Sequence, residues 1–125
     1  MTPVLLAHPR ARVALNAFDR ISRAWELGPE ESAALLGVSR RTAYRILREG
    51  HREHARPDTL ERISHLISIY EDLAALFGDA DIARTWVRRP NFDFGEQSPL
   101  HRMLHGTIQD LIVVRGYLDR ARQGW

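Results

Sequence analysis

The chain contains no cysteine, no lysine and no long hydrophobic run. Without cysteine it has no disulfide framework and no thiolate zinc site, which suits a reducing compartment. The apolar run from Val4 to Ala7 is too short for a membrane span or a secretory signal. We therefore expect a cytoplasmic protein that makes no membrane contact.

Because lysine is absent, all 18 of the Lys and Arg residues are arginine. A guanidinium is a planar fork of donors that matches phosphates, guanine edges and carboxylates, so this usage is compatible with nucleic-acid binding. A GC-rich genome is the alternative explanation. The net charge is only +2, but the segment from Ser39 to Arg56 is locally basic. It contains Arg40, Arg41, Arg45, Arg48, Arg52 and Arg56, opposed by Glu49 and Glu53.

The apolar periodicity predicts an all-α protein, with an N-terminal helix and helix-turn-helix unit over residues 1–56 and a helical domain over residues 57–125. In the first unit we expect helices from Pro9 to Trp25, from Pro29 to about Leu36 and from Arg40 to Arg48. The predicted apolar face of the first helix is Val13, Ala14, Ala17, Phe18, Ile21, Ala24 and Trp25.

In the second domain, Asp58 or Thr59 starts a long helix that Gly78 ends. Its predicted apolar face is Leu60, Ile63, Ile67, Tyr70, Leu73, Ala74 and Phe77. A short helix from Asp79 ends close to Pro90, and Phe92 and Phe94 are expected to anchor the following loop by burial. Ser98-Pro99 opens a brief helix, and a final helix runs from Ile108 to about Arg122, with Leu111, Ile112, Val114, Arg115 and Leu118 on its inner face.

The segment from Glu31 to Arg48 has the pattern of a helix-turn-helix. Such a motif needs a small residue where the helices touch, a turn residue that tolerates positive φ, and apolar positions that fix the second helix. Ala33 and Gly37, followed by Val38, Ala43 and Ile46, meet these needs. The remaining positions predict a DNA-binding face made of Ser39, Arg40, Arg41, Thr42, Tyr44, Arg45 and Arg48. A structural or dimerising role of the same motif is the alternative.

From Leu60 onward several short motifs occur in a fixed order. They are Leu73-Ala-Ala-Leu-Phe-Gly-Asp79, Ala83-Arg-Thr-Trp-Val-Arg-Arg-Pro-Asn91, Phe94-Gly95, Ser98-Pro-Leu100 and Tyr117-Leu-Asp-Arg-Ala-Arg-Gln-Gly124. Together they resemble the toxin-binding domain of the Xre/MbcA/ParS antitoxins, which are partners of RES-domain toxins. The chain departs from the family pattern at Gly95-Glu96 and at His101-Arg102, where many members have a second glycine and an aspartate-leucine pair.

The resemblance implies an antitoxin that covers the active site of an NAD-consuming RES toxin and represses its own operon. We expect a homodimer on a pseudo-palindromic operator and a higher toxin–antitoxin assembly. The toxin contacts are predicted in two places. One is the loop that contains the proline and phenylalanine residues, and the other is the C-terminal tail, which is apolar and rich in arginine. These residues are Pro90, Asn91, Phe94, Gly95, Pro99, Leu100, Leu118, Arg120, Arg122, Gly124 and Trp125.

Two other functions fit the same sequence. One is a stand-alone helix-turn-helix regulator whose C-terminal half only dimerises, and the other is an interaction adaptor that no longer binds DNA. An enzyme is disfavoured, because the chain has no cysteine nucleophile, no glycine-rich phosphate loop and no convincing serine–histidine–acid set. We therefore expect no catalysis and no cofactor.

Histidine pairs and neighbouring carboxylates have ordinary explanations. The spacings of His51 with His54 and of His101 with His105 put each pair on one helical face, but no cysteine or glutamate completes a metal site. We therefore expect no bound metal. Glu71 and Asp72 are interpreted as a solvated face, and Asp79 and Asp81 as a helix start.

Overall fold

The computed structural model describes residues 9–49 and 55–124, and within them every regular element is helical. The helices are α1 (Pro9–Ala24), α2 (Pro29–Leu36), α3 (Arg40–Arg48), α4 (Pro57–Phe77), α5 (Ala80–Arg88), α6 (Pro99–Met103) and α7 (Ile108–Arg122), with a 3-10 turn at Phe92–Phe94. Extended pairing in these ranges is limited to an isolated bridge between Asn91 and Gln97. The expected all-α class is confirmed.

The described chain divides into two compact units, one ending at Ser64 and the other beginning at His65. The division lies inside α4, whereas the sequence pattern placed a boundary ahead of this helix, at residues 56 and 57. The first part of α4 therefore belongs to the helix-turn-helix unit and the rest to the C-terminal unit. Among the described residues, none of the helices combines the length and apolar character that crossing a bilayer requires.

The helices of the first unit begin and end at residues whose local chemistry favours those ends. Pro29 occupies the first turn of α2, and the Gly28 N–H donates to a carboxylate oxygen of Glu31 at 2.9 Å. Gly37 ends α2 with φ of 73°, a left-handed conformation that glycine adopts without a Cβ penalty. Ser39 then caps α3 by accepting from the Thr42 N–H at 3.1 Å.

The core of the first unit joins α1 to the two short helices. Its largest fully buried side chains are Leu15, Phe18, Ile21, Trp25, Leu35, Leu36 and Ile63. Helices α2 and α3 pack against each other, with Ala33 on α2 and Ala43 on α3 both buried. The buried hydroxyl of Thr59 donates to the Leu36 carbonyl at 2.9 Å, so the start of α4 is tied to the end of α2.

Each helix that begins within the second unit has a side-chain cap. Asp79 accepts from the N–H groups of Asp81 and Ile82, and this confirms its predicted place at a helix start. Ser98 accepts from the His101 N–H at 2.9 Å, with Pro99 in the first helical position of α6. Because these caps are local, they set the helix bounds expected from the sequence.

Thr107 and Asp110 form a reciprocal capping box at the start of α7. Asp110 also accepts from the Arg102 guanidinium at 2.8 Å. Burial alone would raise the pKa of Asp110, but the hydrogen bonds from Thr107 and Arg102 outweigh it and hold that pKa below its usual value. Helix α6 packs against both α5 and α7, and the buried side chains around it include Val87, Leu100, Met103, Leu111, Val114 and Leu118.

Several predicted apolar faces were wrong in detail. Phe18 is buried as predicted, but Val13 is 70% exposed, because the buried stripe of α1 runs through Ala11 and Leu15 before it reaches Phe18. On α4, Tyr70 and Phe77 lie at the surface, and Leu66 and Ile69 are buried. Ile112 is also exposed, so the inner face of α7 is narrower than expected.

Two individual predictions were also wrong. Phe92 does not anchor its loop by burial, because its side chain is 82% exposed and only Phe94 packs inward. Asp72 is not part of a solvated face: it is 4% exposed and accepts from the Arg122 guanidinium at 2.9 Å. Its neighbour Glu71 is exposed as expected.

Candidate functional site

Helix α3 presents one buried face and one basic face. Ala43 and Ile46 are buried, whereas the side chains predicted to contact DNA lie mostly in solvent. Ser39, Arg40, Arg41, Tyr44, Arg45 and Arg48 are exposed, and Thr42 is half-buried. We call these seven residues the α3 surface. The structure therefore brings all the predicted DNA-binding residues onto one element.

The α3 surface has two sides. One side borders an open groove of about 550 Å³. Arg40, Tyr44 and Arg48 line this groove together with residues of α1 and α2, among them Asp19 and Pro29. On the other side, Arg45, Ser39 and Thr42 line a second groove of about 530 Å³, which Arg56 also lines. Arg41 and Arg45 both border a third depression. At least one guanidinium of α3 therefore lines each of these three depressions.

The α3 surface carries an excess of positive charge. Within the described residues, its four guanidinium groups make no ion pair with a carboxylate. Arg62 and Arg102, by contrast, are each bound to an aspartate. Guanidinium groups with unused donors can bind phosphate oxygens or the O6 and N7 atoms of guanine. The arrangement can therefore bind the backbone and the base edges of a duplex.

The turn before α3 fixes the direction of that helix. Gly37 lies directly beneath the guanidinium of Arg62, and a Cβ at this position would collide with it. Asp58 holds Arg62 in place through a bond of 3.0 Å between Nε and a carboxylate oxygen. Ser39 and Thr42 are engaged in capping, since the Ser39 hydroxyl also donates to the Thr42 hydroxyl at 3.1 Å. The hydrogen bonds that cap the N-terminus of α3 are therefore made by residues of the chain itself.

The loop after α5 folds back on itself through its backbone. The Asn91 N–H donates to the Gln97 carbonyl at 3.0 Å, and the Glu96 N–H donates to the Asn91 carbonyl at 3.1 Å. The Asn91 side chain caps the 3-10 turn by accepting from the Asp93 N–H. Gly95 ends that turn with φ of 67°. Asn91 and Gly95 thus shape the loop, and Pro90 is exposed at its entrance.

An aromatic cluster of Trp86, Phe94 and Tyr117 supports this loop. The Phe94 ring lies 5.0 Å from Tyr117 and 6.1 Å from Trp86, measured between ring centroids. The Tyr117 hydroxyl donates to a carboxylate oxygen of Asp93 at 2.7 Å. Burial and this hydrogen bond raise the pKa of Tyr117. Asp93 and Tyr117 were missed as site residues, because their contact joins two distant parts of the chain.

Three of the residues predicted to contact a partner are buried in the protein's own core. Pro99, Leu100 and Leu118 have almost no exposed surface, and they pack around α6 and α7. A side chain that fills the core holds a surface in shape but does not itself touch a partner. Asn91 and Phe94 are half-buried, and Pro90 and Gly95 are exposed.

The end of α7 carries the remaining predicted contacts. Arg120 and Gly124 are exposed, and Trp125 lies outside the described residues. Arg122 is bound to the buried Asp72, and Asp119 lies beside that pair. The hydrogen bond and charge of Asp72, with burial, raise the pKa of Asp119, although Arg115 and Arg122 oppose the rise. Neither Asp72 nor Asp119 was predicted as a site residue, because the two come together only in the folded chain.

Within the described residues, the pair of His101 and His105 belongs to no metal-binding cluster. His101 and His105 stack edge to face with ring centroids 5.3 Å apart. In the parts of the chain that the structure describes, no three histidine or carboxylate side chains approach closely enough to hold a metal ion. His51 and His54 lie outside those parts.

The fold and the α3 surface define an all-helical protein with a helix-turn-helix unit and a separate C-terminal helical unit. The family model "Antitoxin Xre-like helix-turn-helix domain" matches residues 5–68, and "Antitoxin Xre/MbcA/ParS C-terminal toxin-binding domain" matches residues 72–124. The uncharacterized protein y4oB of Sinorhizobium fredii is 40% identical over 116 residues, which are 92% of this chain and 88% of that protein. The chain belongs to the Xre/MbcA/ParS antitoxin family, and the resemblance expected from the sequence is confirmed.

Proposed function

We propose that the protein neutralises a RES-type, NAD-consuming toxin by covering the toxin's active site, and that it represses its own operon through the α3 surface. One observation carries the proposal: a single chain of this antitoxin family combines a helix-turn-helix that has a basic exposed face with a separate toxin-binding unit. The two activities then belong to two compact units. The cytoplasm is the proposed location, because operator DNA and NAD are both found there.

The α3 surface supports the DNA-binding half of the proposal. A recognition helix enters the major groove with its N-terminal residues against base edges and its flanks against phosphates. Arg41 and Arg45, one helical turn apart and both exposed, suit the base edges. Arg40 and Arg48 lie along one flank, and Arg56 lies across the groove on the other.

We further propose that the antitoxin is a homodimer on its operator and forms a larger assembly with the toxin. Two recognition helices related by a two-fold axis read two half-sites about one helical turn apart on the same face of the duplex. A two-fold pair doubles the number of base contacts that one recognition helix of nine residues makes. An operator with inverted half-sites is the expected target.

The end of α7 supports the toxin-binding half. We propose that the tail around Arg120, Gly124 and Trp125 enters the toxin, and that Arg120 is the arginine that reaches its nucleotide site. Arg122 is the weaker choice, because moving it would leave the buried carboxylate of Asp72 without its partner. An uncompensated buried charge costs about 3–5 kcal/mol. Arg120 is exposed and makes no ion pair with a carboxylate among the described residues.

Co-expression with the product of the adjacent gene tests this proposal. We expect a RES-domain protein that arrests growth when expressed alone, and we expect the full antitoxin chain to restore growth and to co-elute with it in size-exclusion chromatography. An adjacent gene product that neither arrests growth nor binds the chain would contradict neutralisation. The protein would then be a stand-alone regulator, and operator binding would be its only activity.

A further inference from the structure

Phe92 is the most exposed large apolar side chain in the described part of the chain. A single exposed apolar residue is common on protein surfaces and has no meaning by itself. What distinguishes Phe92 is the loop beneath it. Phe94, two residues later, packs inward, so the two phenylalanines of this 3-10 turn differ in environment.

Hydrogen bonds on both sides of Phe92 fix the backbone that carries it. The Phe94 N–H donates to the Asn91 carbonyl at 2.9 Å, and the Gly95 N–H donates to the carbonyl of Phe92 itself at 3.2 Å. The Asn91 side chain accepts from the N–H of Asp93 at 2.9 Å. The exposed ring is therefore attached to a short segment whose backbone conformation is already determined.

Side chains fix the same segment from below. Asp93 is bound to the Tyr117 hydroxyl, and Phe94 lies between Trp86 and Tyr117. Both residues that follow Phe92 are thus attached to helices of the unit. Ile82 is 51% exposed and lies one helical turn before Trp86, so the helix that supports the loop carries a second exposed apolar side chain.

We propose that Phe92 is the anchor through which this loop docks onto the partner toxin, with the phenyl ring filling an apolar pocket on the toxin. This inference rests on the proposed neutralising function. An aromatic side chain on an ordered loop loses little conformational entropy on binding. Aromatic side chains are also frequent among the few residues that contribute most of the binding energy of an interface. The toxin is the proposed occupant because Phe92 lies inside the range 72–124 that matches the family's toxin-binding domain.

The first test measures the dissociation constant between the full-length chain and the RES-domain product of the adjacent gene. We expect Phe92→Ala to weaken binding by about 30-fold, the effect of a residue worth about 2 kcal/mol. The matched control is Ile112→Ala, which removes another exposed side chain of the same unit and is expected to change binding by less than about threefold. Circular dichroism and operator binding of both variants should match the wild type.

The possible outcomes distinguish a failure of the Phe92 anchor from a failure of the proposed neutralising function. If the wild-type chain binds no RES-domain protein, neutralisation itself fails. If the wild type binds and Phe92→Ala binds equally well, the anchor is refuted and neutralisation stands. If Phe92→Ala instead dissociates the free antitoxin in sedimentation, the ring belongs to an interface between two copies, which also refutes the proposal.

A double-mutant cycle tests the positioning of the ring. Tyr117→Phe removes the hydroxyl that holds Asp93, and we expect it to weaken toxin binding several-fold in the wild-type background. In the Phe92→Ala background, the same change should have almost no effect, because the residue it positions is gone. An equal effect in both backgrounds would show that Tyr117 acts separately and would contradict the positioning.

Discussion

Individual arginines of this protein differ in whether a carboxylate already uses their donors. Arg62, Arg102 and Arg122 are each bound to an aspartate and belong to the structure of their unit. The arginines of the α3 surface make no such pair in the described residues, and their charge remains available. This contrast, more than the number of arginines, separates binding residues from structural ones.

Replacing Arg41 or Arg45 with alanine tests the α3 surface at single positions. We expect each change to weaken binding to the upstream region of the antitoxin's own operon by about 1–3 kcal/mol if the residue reads a base, or to lower the salt dependence by about one phosphate contact. Helicity and toxin neutralisation should be unchanged. Electrophoretic mobility shifts at several salt concentrations measure both quantities.

The control for these variants is Arg20→Ala, which removes an exposed arginine from α1 and should leave operator affinity unchanged. Wild-type affinity in both Arg41→Ala and Arg45→Ala would show that α3 is not a recognition helix. An equal loss in Arg20→Ala would instead indicate a response to net charge alone.

Asp119 gives a pH-dependent prediction. Because Asp72 raises the pKa of Asp119 in the folded state, ionisation of Asp119 destabilises the fold relative to the unfolded chain. Stability from this group is complete below the ordinary value of 3.8 and is lost as the pH rises through the raised value. Asp119→Asn should therefore melt at a higher temperature than the wild type at pH 7, and the difference should shrink in acid.

Melting curves from pH 3 to pH 8 measure this difference. Glu71→Gln removes an exposed carboxylate from α4 and serves as the control. A wild type that is more stable than Asp119→Asn at pH 7 would mean that the pairing of Asp119 with Arg115 outweighs its repulsion from Asp72.

At the level of whole helices, the contact between α2 and α3 sets the geometry of the DNA-binding unit. Ala33 on α2 is almost completely buried, and we expect it to lie in that contact. Ala33→Glu would place a charge there without a partner, so we expect a loss of about 3 kcal/mol or more in the free energy of unfolding, with loss of operator binding. Urea denaturation measures the change.

The same substitution at an exposed helical position provides the control. Ala75 lies at the surface of α4, and Ala75→Glu should leave the stability nearly unchanged. Wild-type stability in Ala33→Glu would show that the two helices do not meet at this residue.

The sequence determined the helix ends better than the buried faces. The ends depend on neighbouring residues, such as Pro29 and Gly37 for α2 or Ser98 and Pro99 for α6, and these local signals were interpreted correctly. The face of α1 was wrong at Val13, because apolar residues occur on more than one side of this helix and only its neighbours decide which side is buried.

Some candidate site residues could be predicted from the sequence, and others could not. The α3 surface could be predicted, because helical spacing alone separates Ala43 and Ile46 from the exposed positions. The support of the Phe92 loop and the pairing of Asp72 with Arg122 could not, since each joins residues far apart in the chain. A buried aspartate has the same local pattern as a solvated one until its partner is known.

In the whole molecule, operator binding is proposed to belong to one compact unit and toxin binding to the other. Deleting residues 123–125 tests this separation. We expect the truncated chain to lose most of its inhibition of the toxin and to keep wild-type operator affinity. The deletion retains Arg122, so its pair with Asp72 and the stability of the unit should survive.

Two matched variants make the truncation interpretable. Arg120→Ala should weaken inhibition without lowering the melting temperature, because its side chain is exposed. Arg122→Ala should lower the melting temperature, because it leaves the buried carboxylate of Asp72 without its cationic partner. Full inhibition by the truncated chain would restrict the toxin contacts to the Phe92 loop and the rest of the unit.

The proposed neutralisation of a RES-type toxin is tested by NAD consumption, measured with the purified product of the adjacent gene as the candidate toxin. The rate would be measured while full-length antitoxin is added in increasing amounts. We predict that NAD consumption falls to background once the antitoxin saturates the toxin, and that the melting temperature of the toxin rises as the complex forms. Undiminished NAD consumption in the presence of saturating, folded antitoxin would contradict it.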